Sequence, residues 1–295
     1  MKIGVIGGSG VYDMEGLESV RTERVDTPFG SPSDEYICGC IAGHEVHFRP
    51  RHGKGHRLLP TEINHRANIF GFKLLGVEHV ISISAVGSLK EELRPRDVVL
   101  PDQYFDRTKA DGEHTFFGEG IVGHVAFAEP ACPALRRQIV DTFKSVLATD
   151  FPDRDTRVVD GGTYVNMAGP AFSTRAESFF HRKMGFDVIG MTSLAEAKLC
   201  REAEICYQPI AMVTDYDCWR ESEEAVTVDA VIAHLQANTE LAKHALRKLL
   251  ENLEDLGTCS CREALASALI TQPGTAPAET LKKLAPIVGK YLAPQ

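Results

Sequence analysis

The sequence lacks any apolar run near the roughly 20 residues that a membrane span requires. It also lacks basic excess: 32 Lys and Arg stand against 41 Asp and Glu, a formal net charge of -9. A broad basic face for duplex nucleic acid is therefore not expected, although a single anion pocket remains compatible. The opening MKIGVIGG has no basic leader followed by a long apolar stretch and a cleavage site, so the expected location is the cytoplasm. Eight cysteines are present, yet none forms a C-x-x-C pair. No G-K-[ST] closes a P-loop, and the acidic segment around Asp215 lacks the glycine and terminal glutamate of an EF-hand.

What is there is ordinary globular material. Hydrophobic residues make up 43% and charged residues 25%, enough for a full core and incompatible with a largely disordered chain. Apolar, β-branched runs at 2–6, 79–84, 97–100, 164–167, 188–189 and 209–213 read as strands. One or two more are expected over 36–49. Between them lie helical patterns at 61–75, 133–147, from Ser173 or Thr174 onward, 195–204 and 227–256. Thr61 and Thr227 are the expected caps of two of these. Residues 103–130 read as a long irregular loop, more often functional than idle in a compact domain. Alternating strands and helices predict an α/β fold: a single domain with a central mixed β-sheet flanked by helices. The last 35 or so residues read as a helical appendage, giving units of 1–256 and 257–295.

Three segments carry candidate chemistry. Gly7-Gly8-Ser9-Gly10 follows a strand and offers a hydroxyl and open backbone N–H groups to a phosphate. Arg51-His52 sits in a glycine-bracketed basic loop, and arginine suits bidentate anion binding. A second glycine-hydroxyl segment, Ser84-Ala85-Val86-Gly87-Ser88, also follows a strand, where open α/β sheets bind ligands. Asp215 and Asp217, after another strand, could read a nucleobase edge, share a proton, bind a metal, or simply cap the next helix. For the cysteines, reduced and partly buried thiols are the plainer reading. A zinc site built from both C-x-C pairs (Cys38 with Cys40, Cys259 with Cys261) and structural disulfides are the alternatives.

Six segments in order then match one family: IGGSGVY from Ile6, PRHGKGH from Pro50, SAVGS from Ser84, GPAFSTRAES from Gly169, GMT from Gly190 and TDYDCW from Thr214. Over about residues 2–256 the chain resembles the trimeric class of purine nucleoside phosphorylases, and within it the branch acting on 5'-methylthioadenosine. The resemblance implies phosphorolysis of S-methyl-5'-thioadenosine to adenine and 5-methylthioribose 1-phosphate, with inorganic phosphate as co-substrate and no metal or organic cofactor. It implies a homotrimer or a dimer of trimers, with small-molecule ligands and neither nucleic acid nor membrane as partner.

By the same resemblance, Ser9, Arg51, His52, Ser84, Ala85 and Thr192 bind phosphate. Phe172 and Ser173 meet the base, and Met191 lies along the ribose. Asp215, Tyr216 and Asp217 belong to the purine site, with Asp215 the general acid at N7 and Asp217 the acceptor of the exocyclic amine. Val228 and Val231 adjoin the methylthio group, and His124 reaches the 5' end across a subunit interface. A sister activity on 6-oxopurine nucleosides or methylthioinosine is the alternative. Such a site would carry Asn in place of Asp215 and usually Glu in place of Ser173. Some relatives share the Cys259-Ser-Cys261 tail, for which a structural disulfide is one reading.

Overall fold

Apolar runs too continuous for a one-sided sheet become strands covered on both faces, the usual fate of parallel strands. The computed structural model describes residues 1–8, 14, 16–108, 114–220, 228–257 and 259–292, with the side chains of the helix that begins at Val228 described from residue 233 onward. Ser9, the rest of its loop after Gly8, and Thr227 lie outside the described residues, as do the side chains of Val228 and Val231.

The strands are β1 (Lys2–Gly7), β2 (Glu18–Glu23), β3 (Tyr36–Ile41), β4 (His44–Pro50), β5 (His79–Ser88), β6 (Val98–Leu100), β7 (Gln103–Arg107), β8 (Val158–Asp160), β9 (Thr163–Met167), β10 (Val188–Gly190) and β11 (Cys206–Tyr216). The helices are α1 (His65–Leu74), α2 (Pro133–Thr149), α3 (Arg175–Lys183), α4 (Ser193–Glu202), α5 (Val228–Asn252), α6 (Ala278–Lys283) and α7 (Ala285–Leu292).

Among the described residues the strands form one mixed sheet, and β5 is its hub. Along one edge β5 pairs with β11 in parallel from His79 to Ser88. Along the other it pairs with β1 as far as Ser82, and then with antiparallel β10 from Gly87. Residues 83–86 therefore have no ladder partner on that second edge. Period-two alternation sends Ile81, Ile83, Ile210 and Met212 to one face, where they pack with Ile139 and Phe143 of α2 and Leu246 and Leu249 of α5. Val80 and Tyr207 face the other side, against Ile69 and Phe70 of α1 and Leu199 of α4. The C-terminal segment packs there as well, through Leu265, Leu284, Ile287 and Val288.

Several boundaries differ from the sequence expectation. Thr61 does not cap α1; Asn64 does, its side chain accepting from the Ala67 amide, after a short 3-10 turn at Pro60–Glu62. Thr174 caps α3 in a full capping box with Glu177. β5 runs on through Ser84–Ser88, so that segment is strand and not loop. Part of the expected loop at 103–130 is β7. The highly exposed β2 and three-residue β8 carry too little apolar pattern to be read from sequence.

Candidate active site

A cavity of about 560 Å³ opens where β5 changes partner. It is lined by Arg51, His52, Ser84, Ala85, Phe172, Met191, Thr192, Asp215 and Asp217 among the residues expected from sequence.

At its floor, Arg51 follows β4 and is held by a backbone bond from its amide to the Gly7 carbonyl. Its buried guanidinium donates to Glu196 Oε1 at 2.6 Å, Ser82 Oγ at 2.7 Å and the Ile83 carbonyl at 3.0 Å. Glu196 also accepts from Ser82 at 2.6 Å and Tyr207 at 3.1 Å. Burial disfavours both charges, yet each outweighs that cost for the other: Arg51 is raised and Glu196 lowered from their ordinary values. Beside them His52 donates from Nδ1 to the Leu58 carbonyl at 2.9 Å, which leaves the Nε2 lone pair for another partner. Its ring stacks on His56, and burial lowers its pKa. Thr192 sits at the N-cap of α4 without using its side chain as a cap, at the end of a helix suited to anions.

At the far end, β11 carries a register shift between Val213 and Asp215. The bulged Thr214 donates its hydroxyl to Asp215 Oδ2 at 2.7 Å. Asp215 pairs with Gly87, four residues beyond Ile83, so the carboxylates lie about 13 Å along β5 from the arginine. Burial raises the Asp215 pKa first; the Thr214 bond opposes this, and the Asp217 charge adds to it. Asp217 is buried, and its Oδ2 has no hydrogen-bond partner among the described residues. The buried Ser84 Oγ and Tyr164 Oη are likewise without a partner of good geometry. The Ser84 and Tyr164 hydroxyls lie close enough to interact with each other, so the Asp217 oxygen is the one that most calls for a polar partner.

Tyr216 does not line this cavity. Period-two alternation places it opposite Asp215 and Asp217; its ring meets Trp219 and its hydroxyl donates to the Glu91 carbonyl. Ser173 is not among the lining residues, its carbonyl accepting from the Cys218 thiol, while the neighbouring Phe172 lines the cavity and is 82% exposed. His124 is exposed and outside the lining, its amide bonded to the Ala268 carbonyl. The two C-x-C pairs do not meet: Cys38 lies against His47, whereas Cys259 and Cys261 join Cys132 and Cys206. The strand pairing that buries Cys38 between β2 and β4 separates it from the tail.

Sequence reasoning missed Glu196, Tyr164 and Asn238. The available signal for Glu196 was a carboxylate on the same helical face as Leu199 and Cys200, an apolar face where a buried charge requires a partner. Asn238 of α5 donates to the Val213 carbonyl at 2.9 Å, holding the helix against the bulge. Tyr164 crosses above Gly190, where a β-carbon would lie on the phenol oxygen. Gly190→Ala should therefore displace Tyr164, lowering stability by about 1–3 kcal/mol in chemical denaturation. An unchanged transition would show that this contact is loose.

The chain matches the phosphorylase superfamily over residues 2–251 and belongs to it. It is 52% identical to an S-methyl-5'-thioadenosine phosphorylase of Geobacter sulfurreducens, over 98% of this chain and 99% of that protein. It is 54% identical to one of Koribacter versatilis, over 100% and 98%. A crystal structure of a methylthioadenosine phosphorylase from an antarctic soil metagenomic library superposes with a TM-score of 0.91 at 42% identity, covering 97% of this chain and 98% of that one.

Proposed function

We propose that the chain cleaves S-methyl-5'-thioadenosine with inorganic phosphate, releasing adenine and 5-methylthioribose 1-phosphate. The observation that carries this reading is one cavity that brings Arg51, His52 and the hydroxyl side chains of Ser84 and Thr192 together with a carboxylate pair, Asp215 and Asp217. Breaking the bond between C1' and N9 places positive charge on the ribose and negative charge on the purine. A phosphate dianion at the floor, with Ser9 and the backbone at Ala85 completing its cradle, stabilises that cation and then attacks C1'. Adenine leaves well only when protonated, and Asp215, whose pKa burial raises, is the carboxyl placed to deliver a proton to N7. Asp217 then accepts from the exocyclic amine with its unpaired oxygen. The step needs no metal ion and no organic cofactor.

Phe172 stacks on the base at the rim, Ser173 supports its edge, and Met191 lies along the ribose. Val228 and Val231 present the methylthio contact. The exposed His124 completes a neighbour's pocket in a homotrimer, and the enzyme serves purine and methionine salvage in the cytoplasm. Among the described residues no helix is long and apolar enough to cross a membrane.

The test is cleavage of methylthioadenosine with and without phosphate. Turnover should require phosphate or arsenate; efficient hydrolysis in their absence would overturn the reading. Methylthioinosine separates the sister activity. Its O6 would face the Asp217 carboxylate with no proton between them, and an unpaired buried contact costs about 1–3 kcal/mol. Methylthioadenosine should therefore be preferred by at least ~10–100-fold in kcat/KM.

A further inference from the structure

Four cysteines converge far from the cavity. Cys132 is the N-cap of α2, Cys206 opens β11, and Cys259 and Cys261 come from the segment that leaves α5. Their four Sγ atoms all lie within 4.8 Å of one another, and those of Cys132 and Cys259 are 3.4 Å apart. Three of the residues are buried and Cys259 is half-buried. All four are free thiols.

We propose that Cys132, Cys206, Cys259 and Cys261 form a tetrathiolate site for a structural zinc ion that fastens the C-terminal segment to the sheet. A tetrahedral zinc with sulfurs at about 2.3 Å sets those sulfurs about 3.8 Å apart, close to the spacing found here. Two disulfides would need the sulfurs drawn into pairs about 2 Å apart, whereas here all four cluster mutually, with Cys132 and Cys259 at 3.4 Å, which is the arrangement of four ligands about one ion. Binding displaces the thiol protons to solvent and forms four Zn–S bonds with no change of oxidation state. The resulting net charge of -2 sits near Arg201 and Arg262, and at the start of a helix, where anions are favoured. Cys206 lies nine residues before Asp215 on β11, about 30 Å along the strand, so the ion has no part in the cleavage step.

The experiment is metal analysis of the full chain, expressed with added zinc and purified under reducing conditions without chelator. About one zinc per chain is expected, released as a mercurial titrates the cluster. Cobalt-loaded protein should show sulfur-to-metal charge transfer and the visible bands of a tetrahedral ion. Cys259→Ser with Cys261→Ser should lose the metal and expose the tail to protease while turnover at moderate temperature stays within about two-fold. The wild-type measurements stand even where that variant folds poorly. A wild-type chain without stoichiometric zinc overturns the proposal, whether its four cysteines prove disulfide-bonded, free, or filled with iron.

Discussion

Asp215→Asn should lower turnover of methylthioadenosine by about 10²–10⁴-fold, the range that a positioned proton donor contributes. The amide matches the carboxyl in size and keeps a donor toward N7, but it has no proton to give. Phosphate binding should change little, since Arg51 and His52 lie at the other end of the cavity. Melting should stay near wild type, because the amide matches the carboxyl in size at this buried site. The pH profile gives the sharper readout. Burial raises the Asp215 pKa, and the reactive form is protonated, so kcat/KM should fall as pH rises through that value. The variant should lose this alkaline limb along with the rate. Pairing it with Ser173→Glu should raise activity on 6-oxopurines, because the amide can donate to O6. A variant as active as wild type would remove Asp215 as the acid.

Glu196→Ala should produce the largest loss of stability, about 3–5 kcal/mol, because it leaves the buried Arg51 guanidinium without its counter-charge. The same change removes the acceptor that orients both Arg51 and Ser82, so the Michaelis constant for phosphate should rise as well. The pH dependence has a definite sign. Folding lowers the Glu196 pKa, so its contribution is present above the ordinary carboxylate range and is lost as pH falls through the folded value. The difference between wild type and variant in urea denaturation should therefore shrink on acidification. Equal stability at neutral pH would show that the pair is better hydrated than its burial implies.

Much of this was legible in the residues. The apolar runs of β5 and β11, the Thr174–Glu177 cap and the alternation of strands and helices follow from local chemistry. So does the grouping of Arg51, His52, Asp215 and Asp217, each placed just beyond or at the end of a strand. The rest is decided by distant partners. Tyr216 sits beside two site residues in sequence and faces away because a strand alternates. Glu196 gains meaning only from Arg51, 145 positions earlier. Likewise, the pairing of Cys259 and Cys261 with Cys132 and Cys206, not Cys38 and Cys40, depends on where the tail returns to the sheet.

The change of partner along β5 has a mechanical consequence. Residues 83–86 are held by β11 on one side and by no strand on the other, so the sheet is split on one edge and continuous on the next. Such a slot can widen or narrow around an incoming anion by small splaying of β1 from β10, without unzipping the β5–β11 seam. The floor of the cavity thus combines a stiff spine, which carries Asp215 on β11, with a compliant lip, which carries Arg51 just beyond β4, so that small movements of the lip adjust the distance between the two.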